Sequence, residues 1–219
     1  MSKLDEYSNL LLKWNARIGF TKYNDPRIIH DKLIAPSVHF STIIDGPARI
    51  IDLGTGPGVP GLIVGIAKPD LKIALLDSKR ACIEFLDECI SVLELSNIST
   101  IHGRAELCAH EDAYREKFDA AMSRAMAPLP IALEVSSAYV KTGGLVYVTV
   151  PSNVPEILVD DFEIESLGLR YKSIHHFSSP DIEQIPSIAS YLKFKPILSK
   201  HPRSWAAMKN RPLFTGYSD

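Results

Sequence analysis

Cysteine is scarce in this chain of 219 residues, which contains only Cys82, Cys89 and Cys108. None of the three forms a CxxC pair, and the spacing typical of metal-ligating residues is absent, so we expect no metal site. Cys82 and Cys89 lie seven positions apart on a predicted helix, which favours buried core positions for both. Free cysteines of this kind fit a reducing cytoplasm.

Long apolar runs are also missing, because no run approaches the roughly 18 residues that a membrane span requires. The first residues lack the apolar stretch of a signal peptide. Together these absences predict a cytoplasmic protein that does not associate with membranes. Hydrophobic residues make up 46% of the chain and charged residues 23%, which is typical of a soluble protein with a substantial core.

A large excess of one charge is absent over the whole chain, since its net charge is −2. Any surface for nucleic acid therefore has to be a local patch. A candidate follows Glu183, because residues 184–218 contain no Asp or Glu. Its cations are Lys193, Lys195, Lys200, Arg203, Lys209 and Arg211, with His201 and Trp205 between them. This segment either contacts phosphates and stacks on a base, or it is a solvated face that offsets the acidic remainder.

Glycine is concentrated in one stretch, which reads IIDLGTGPGVPG from Ile50 to Gly61. A short apolar run ends at Asp52, and glycines follow at positions 54, 56, 58 and 61. This pattern predicts a buried strand that turns through a tight loop into a helix. Glycine serves where the backbone adopts a positive φ or approaches a ligand closely. We therefore expect a nucleotide pocket at the carboxyl end of a parallel strand.

The loop alone leaves the ligand of this pocket open. Gly56 to Gly61 also matches the GxGxxG pattern of dinucleotide sites, and a purely structural turn is a further alternative. Two features disfavour a pyrophosphate: the carboxylate of Asp52 at the strand end, and the prolines 57 and 60, which have no N–H to donate. A ligand with a cationic sulfonium, an amine and a ribose suits the loop better, which favours S-adenosylmethionine (SAM).

Strands and helices are predicted to alternate from this stretch onward. Strands are predicted at 48–53, 72–76, 98–102, 118–122 and 145–150, and helices at 60–67, 79–95 and about 130–140, the last ending at Gly143-Gly144. This alternation predicts an α/β fold with a doubly wound parallel sheet. A helix after Pro155 and two late strands, 170–177 and 191–197, are expected to follow, with the strands forming an antiparallel hairpin.

Two amphipathic segments precede the first strand. Residues 3–17 carry apolar side chains at helical spacing, and a second helix is predicted from Asp25-Pro26 to about Ile44, interrupted near Pro36. We expect a helical cap over residues 1–45 and one SAM-binding domain over residues 46–219 with a basic C-terminal tail.

Acids recur where predicted strands end. Asp77 ends the second strand 23 residues after Gly54, which is where a ribose diol is usually bound, although a surface acid or helix cap is the alternative. Glu106 follows the third strand. The carboxyl ends of parallel strands meet at one edge of a sheet, so these acids are predicted to share one site with the glycine loop.

The residues that follow the fourth strand narrow the chemistry of a methyl transfer. Ser123-Arg124-Ala125-Met126 stands where enzymes acting on exocyclic amines carry an Asn/Asp-Pro-Pro-aromatic loop. Cys108 has no neighbouring proline, so a cysteine nucleophile for pyrimidine carbon is disfavoured. A ring nitrogen such as guanine N7 needs no general base. Arg124 is the candidate catalytic residue, which either holds a carboxylate, phosphate or base edge or pairs with Asp52 or Glu106.

The chain resembles the RsmG (GidB) family of SAM-dependent methyltransferases, which act on a guanine N7 in bacterial small-subunit rRNA. The segments that carry the resemblance are residues 11–15 with Thr21 and Asp25-Pro26, residues 52–61, 75–78, 103–106 and 123–125, Pro202-Arg203 and Pro212-Leu213. The resemblance implies a Rossmann-like class I methyltransferase fold with an N-terminal helical cap. It also implies that ribosomal RNA or the 30S subunit is the partner. We expect the enzyme to be a cytoplasmic monomer.

The resemblance further implies roles for individual residues. The cofactor-binding set is Asp52, Gly54, Thr55, Gly56, Gly58, Val59, Asp77, Ser78, Ala105, Glu106 and Arg124, with Gly54 and Val59 at the methionine end, Asp77 and Ser78 at the ribose, and Ala105 and Glu106 at the adenine. The candidate RNA-binding set is Lys13, Asn15, Lys79, Arg80, Lys200, Arg203, Lys209 and Arg211.

Departures from the family pattern fall on the RNA side. Lys32-Leu33 and Pro36-Ser37 replace Arg-His and Asp-Ser, and the family's Lys-Arg pair falls at Ala81-Cys82. The Lys-Gly expected after the fifth strand is replaced near Val150-Pro151, and a usual Gly and Pro become Ala206 and Met208. Two alternatives to rRNA methylation stay open. One is a SAM enzyme that acts on another RNA or on a small molecule, and the other is a SAM-binding module without catalysis.

Overall fold

The computed structural model describes residues 2–45, 48–152, 162–178 and 185–214, and they contain one seven-stranded sheet. The strands are β1 (Arg49–Leu53), β2 (Lys72–Asp77), β3 (Ile98–His102), β4 (Phe118–Ser123), β5 (Val140–Val150), β6 (Leu169–His175) and β7 (Ser187–Lys193). Their order across the sheet is β3-β2-β1-β4-β5-β7-β6. The first five strands are parallel, and β7 runs antiparallel between β5 and β6. The predicted α/β fold and late hairpin are confirmed.

Helices cover both faces of the sheet. They are α1 (Lys3–Ile18), α2 (Pro26–Ile29), α3 (Ala35–Ser41), α4 (Gly61–Ala67), α5 (Arg80–Val92), α6 (Ala105–Cys108), α7 (Leu129–Ser137) and α8 (Trp205–Asn210), with a 3₁₀ turn at Phe162–Leu167. One apolar cluster joins α6, α7 and α8 to the sheet, and a second joins α1, α3, α4 and α5 to its other face. Among the described helices, none is long and apolar enough to cross a bilayer.

The cap, by which we mean residues 2–45, packs into the second apolar cluster. Tyr7, Leu11 and Phe40 are buried in the same cluster as Ile63 of α4 and Phe85 of α5. Burial of these side chains against the sheet stabilises the cap by the hydrophobic effect. The domain boundary at residues 45 and 46 remains a prediction.

The second predicted helix is present but changes its winding in the middle. A π-helical turn spans His30–Ile34, between α2 and α3, and the N–H of Ala35 donates to the carbonyl of His30. Pro36 explains this widening, because its nitrogen has no N–H for the carbonyl of Lys32 and its ring would clash there in a regular α-helix. The interruption predicted near Pro36 is therefore a wider turn that keeps the helix continuous.

Two boundaries differ from the prediction. Gly143-Gly144 does not end a helix but lies inside β5. Position 144 needs glycine, because a Cβ there would collide with the carbonyl oxygen of Asp119. Absence of a side chain there lets β5 approach β4 closely, where the register shifts.

Strand β7 begins at Ser187, four residues before its predicted start. Its buried serines hydrogen-bond to neighbouring side chains, with Ser190 Oγ 2.8 Å from Ser173 Oγ, so an apolar pattern could not reveal it. The helix predicted after Pro155 lies largely outside the described residues.

Candidate functional site

The glycine loop is tied to the helix that follows it by Asp52, which is fully buried. Its Oδ2 accepts hydrogen bonds from the Thr55 hydroxyl at 2.6 Å and from the Gly61 N–H at 2.8 Å. Burial raises the pKa of Asp52 from 3.8 to about 6, and the two hydrogen bonds oppose that rise. The acid therefore lies beneath the loop and holds its shape.

A cavity of about 470 Å³ opens at the carboxyl ends of the parallel strands. Six residues of the predicted cofactor set line it: Gly54, Gly56, Asp77, Ser78, Ala105 and Glu106. The other predicted cofactor residues, Asp52, Thr55, Gly58, Val59 and Arg124, are not on its wall. The structure thus brings the three predicted strand ends to one cavity, with Asp52 behind the wall.

Asp77 is held in a fixed orientation at the edge of this cavity. Its Oδ2 accepts a hydrogen bond from the Gly56 N–H and its Oδ1 accepts one from the Lys79 N–H, each at 2.8 Å. Only 8% of the residue is exposed. Each oxygen keeps a lone pair free, so the carboxylate can accept two further hydrogen bonds from a diol without rearranging.

Residues from outside the central motifs complete the wall. The cap contributes Ile18, Gly19 and Phe20, and the chain after β7 contributes Trp205. Sequence reasoning did not assign these residues to the cofactor site. Trp205 stood out as an aromatic in a basic segment, but only the course of the chain after β7 brings it here.

A second cavity, of about 620 Å³, lies beside the first and contains the end of β4. Ala125 and Met126 line both cavities, and Ser123, Arg124 and Pro151 line the second. A ligand in one cavity can therefore lie close to a ligand in the other. Ala125 adopts a φ of 50°, a left-handed conformation that is uncommon for alanine and that functional sites often contain.

Arg124 is positioned by the cap. Its Nη2 donates a hydrogen bond of 2.7 Å to the carbonyl oxygen of Lys32 in the π-helical turn. Burial lowers the pKa of Arg124, while nearby Tyr23, Tyr7 and Asp52 raise it. Its backbone acceptor keeps the guanidinium in one place without neutralising its charge.

The proposed alternative ion pairs of Arg124 do not form within the described residues. Glu106 instead accepts from Arg104 Nε at 2.6 Å, and the Oδ2 of Asp52 is bound by the glycine loop. In the described part of the chain, Arg124 Nη1 and Ser123 Oγ are buried and have no hydrogen-bond partner. Buried donors of this kind are normally paired, so these two atoms are exceptions at the end of β4.

Two residues of the predicted RNA-binding set are engaged inside the protein. Asn15 is 6% exposed, and its amide nitrogen donates to the carbonyl of Thr21 and to Asn24 Oδ1, each at 2.8 Å. Its amide oxygen accepts from the Thr21 N–H at 2.9 Å. Asn15 therefore fixes the turn after α1, and contact with RNA would require breaking these bonds.

Arg203 is likewise engaged, by the buried carboxylate of Glu134 on α7. Its Nη2 lies 2.6 Å from Glu134 Oε2 and its Nε lies 2.9 Å from Oε1. His201 Nδ1 lies 2.7 Å from the same Oε1. Burial raises the pKa of Glu134, but the hydrogen bonds from Arg203 and His201 outweigh it and hold that pKa below its usual range. We call residues 194–214 the tail, and Glu134 anchors it.

The remaining predicted RNA-binding residues are exposed: Lys13, Lys79, Arg80, Lys200, Lys209 and Arg211. Lys79 lies on the wall of the first cavity. Lys200 is elsewhere, because Arg115, which precedes β4, donates to the carbonyls of Leu198 and His201 on either side of it. Lys200 is therefore placed towards the amino ends of the parallel strands, away from the cavities.

Solved structures show the same fold at low sequence identity. M. jannaschii TYW2 in complex with AdoMet has a TM-score of 0.56, 13% identity, and coverage of 83% of this chain and 80% of its own. A putative S-adenosyl-L-methionine-dependent methyltransferase from Methanococcus maripaludis has a TM-score of 0.55, 16% identity, and coverage of 82% and 96%. These similarities confirm the Rossmann-like class I methyltransferase fold.

Sequence comparison is more specific. The profile of the family described as "GidB: rRNA small subunit methyltransferase G" matches residues 1–185. Ribosomal RNA small subunit methyltransferase G of Acetivibrio thermocellus is 34% identical over 97% of this chain and 88% of its own length. The protein of the same name from Clostridium botulinum strain Loch Maree is 36% identical over 94% and 88%. By these matches the chain belongs to the rRNA small subunit methyltransferase G family.

Proposed function

We propose that this protein methylates N7 of a guanine in small-subunit rRNA with SAM as the methyl donor. One observation carries the proposal: a cavity with a pre-oriented Asp77 carboxylate adjoins a second cavity that is lined by Ser123 and Arg124. Ala125 and Met126 connect the two. Such a pair of joined sites suits the transfer of a group from one ligand to another.

The first cavity fits SAM in size and chemistry. Its volume of about 470 Å³ lies in the range of small-molecule sites. Asp77 would accept from the ribose hydroxyls, Gly54 and Gly56 would allow close approach of the backbone, and Ala105 with Glu106 would flank the adenine. When bound there, SAM supplies a methyl group activated by a positively charged sulfur.

The second cavity suits a purine base. Arg124 and Ser123 line it, and if their side chains turn towards the cavity, Arg124 Nη1 and Ser123 Oγ would donate to a base carbonyl such as guanine O6. N7 carries a free lone pair and no proton, so this chemistry requires orientation and exclusion of water rather than a general base. Arg124 is the residue that we expect to orient the acceptor, with its own position fixed by the cap.

RNA is the substrate class that family membership supports. We further propose that the protein is a cytoplasmic monomer, and size-exclusion chromatography with light scattering would test the oligomeric state. The exposed cations Lys13, Lys79, Arg80, Lys209 and Arg211 are the candidates for phosphate contact. Neutralising them should flatten the salt dependence of RNA binding, whereas neutralising Lys200 should not.

The direct test is methylation of under-modified 30S subunits and of bare rRNA, followed by identification of the modified nucleoside. N7-methylguanosine from either substrate supports the proposal. Another methylated nucleoside, or methylation of neither substrate, contradicts the proposed acceptor. Lys32 departs from the family pattern and accepts a hydrogen bond from Arg124, so another RNA is the second candidate acceptor.

The donor is tested separately by calorimetry. Asp77→Ala should weaken SAM binding by about 1–3 kcal/mol, because it removes one or two hydrogen bonds. Asp70→Ala is the matched control, since Asp70 is exposed in the turn before β2 and should leave SAM affinity unchanged. Binding of NAD without SAM would contradict the proposed donor.

A further inference from the structure

Trp205 lies on the wall of the first cavity, although it belongs to the tail. It is the first residue of α8, and it shares the cavity wall with Arg104, Ala105 and Glu106. The guanidinium carbon of Arg104 lies 5.8 Å from the centroid of the indole. The flat ring is therefore at the side of the cavity where the acid and the alanine after β3 are found.

Contacts on both sides of Trp205 fix its place. Before it, Arg203 and His201 are bound to the buried carboxylate of Glu134, and His110 Nε2 lies 2.9 Å from the carbonyl oxygen of Pro202. After it, the Ala207 N–H donates to Ser204 Oγ at 3.3 Å and caps the helix. The indole also packs against the apolar cluster on this face of the sheet. The ring is thus held at the cavity before any ligand arrives.

We propose that Trp205 stacks on the adenine ring of SAM, so that the tail forms part of the donor site. This inference rests on the proposed function, because it takes SAM as the ligand of the cavity. Stacking between a base and an aromatic side chain is a substantial source of affinity, and a ring that is already ordered costs little entropy to use. Trp205 also lines a cavity of about 350 Å³ beside α8. Only the first cavity places the ring together with Asp77 and Glu106, and this favours the cofactor over an RNA base.

Binding of three ligands tests the inference. Trp205→Ala should weaken SAM, S-adenosylhomocysteine and 5′-methylthioadenosine alike, by about tenfold, because all three carry adenine. Trp205→Phe should keep most of the affinity, since it retains an aromatic face. Asn210→Ala is the matched control: Asn210 is exposed on the same helix, and its loss should change none of the three affinities.

Fluorescence gives an independent measurement, because the chain contains two tryptophans, Trp14 and Trp205. In a Trp14→Phe variant, the only indole is the one at the cavity. Saturating 5′-methylthioadenosine should quench its emission, whereas methionine alone should not. This measurement does not require a Trp205 variant to fold.

Three results would overturn the inference. The first is unchanged SAM affinity in a folded Trp205→Ala variant. If that variant has lost RNA affinity instead, the ring is assigned to RNA. Unquenched emission in the Trp14→Phe variant on saturation is the second. The third is equal loss of affinity in Trp205→Phe and Trp205→Ala. A wild-type protein that binds no SAM contradicts the proposed function instead, which keeps the two failures distinguishable.

Discussion

The cap and the tail reach the same cavity by different physical means. The cap brings Ile18, Gly19 and Phe20, and the tail brings Trp205. Apolar packing holds both segments, but the tail is also bound to one buried carboxylate, that of Glu134. The two walls of this cavity should therefore respond differently to acid and to mutation.

An aromatic cluster attaches the cap. Trp14, Phe20 and Tyr7 all contact Phe85 of α5, with ring centroids 5.7, 5.2 and 6.2 Å away. Two polar bonds fix the orientation of these rings: the Tyr7 hydroxyl donates to the Pro57 carbonyl and Trp14 Nε1 donates to Glu88, each at 2.8 Å. The stability of such apolar packing depends mainly on the buried apolar area and hardly on pH.

Charged hydrogen bonds add to the apolar packing of the tail. Glu134 is 1% exposed and accepts from His201, from the Arg203 side chain and from the Arg203 N–H. Arg115 adds bonds to the carbonyls of His201 and Leu198 at 2.8 and 3.1 Å. Because several bonds converge on one acid, the tail should be far more sensitive than the cap to a single substitution.

Removal of that acid is expected to have the largest effect on stability. Glu134→Ala leaves Arg203 and His201 without their partner, and loss of one member of a buried ion pair costs about 3–5 kcal/mol. Denaturant unfolding would measure the loss. Glu165→Ala is the control, because its ion pair with Arg170 is exposed and should contribute under about 1 kcal/mol. Equal losses in the two variants would contradict the assigned role of Glu134.

The pH dependence of unfolding should contain two contributions of opposite sign. The folded-state pKa of Glu134 is lowered, so its stabilisation is present near neutral pH and is lost as the pH falls through that pKa. The pKa of Asp52 is raised from 3.8 to about 6, so the folded state binds the extra proton and the Asp52 contribution falls as the pH rises between those values.

Replacing Asp52 tests its half of that pH dependence. In the wild type, the Asp52 contribution to the free energy of unfolding should fall by up to about 3 kcal/mol between about pH 4 and pH 6. Asp52→Asn should abolish this fall, because asparagine does not titrate. Denaturant unfolding across this range measures the difference. Parallel pH profiles for the two proteins would show that Asp52 titrates normally.

Weakening the apolar attachment of the cap should have a smaller effect. Phe85→Leu removes the aromatic contacts with Trp14, Phe20 and Tyr7 and is expected to cost about 1–2 kcal/mol of stability. The loss should be the same at pH 3 and pH 7, in contrast to that of Glu134→Gln, which should shrink as the pH falls below about 4.5, the ordinary pKa of Glu134. A loss that varied with pH over this range would show that charge also holds the cap.

The smallest expected effect comes from the π-helical turn. Pro36→Ala restores an N–H that can bond to the Lys32 carbonyl and compete with Arg124, at a cost of about 1 kcal/mol in catalysis. The turnover number should fall about fivefold with SAM affinity unchanged. Pro69→Ala, in an exposed turn, is the control. A fall in SAM affinity instead would place Arg124 at the cofactor rather than at the acceptor.

Local patterns predicted most of the fold and the centre of the candidate site. The apolar run before Gly54 and the acids at strand ends gave β1, β2 and the cavity edge, because strand periodicity and glycine turns are properties of adjacent residues. Contacts between distant segments could not be predicted in this way. Arg203 was expected to face RNA. Its actual partner, Glu134, is 69 positions away in the sequence, so no local pattern could reveal the contact. Trp205 was a candidate for stacking on a base, with a solvated face as the alternative, and its neighbours at the cavity are also far away in the sequence.

The two walls of the cavity have a consequence for how the protein assembles. Ile18 and Trp205 lie near opposite ends of the described chain, so the donor cavity is complete only when contacts of very high sequence separation have formed. Such contacts form late, because the chain pays the entropy of closing a long loop first. Ligand binding should therefore mark the finished molecule, and SAM, by binding only the complete cavity, should stabilise the attachment of both segments together.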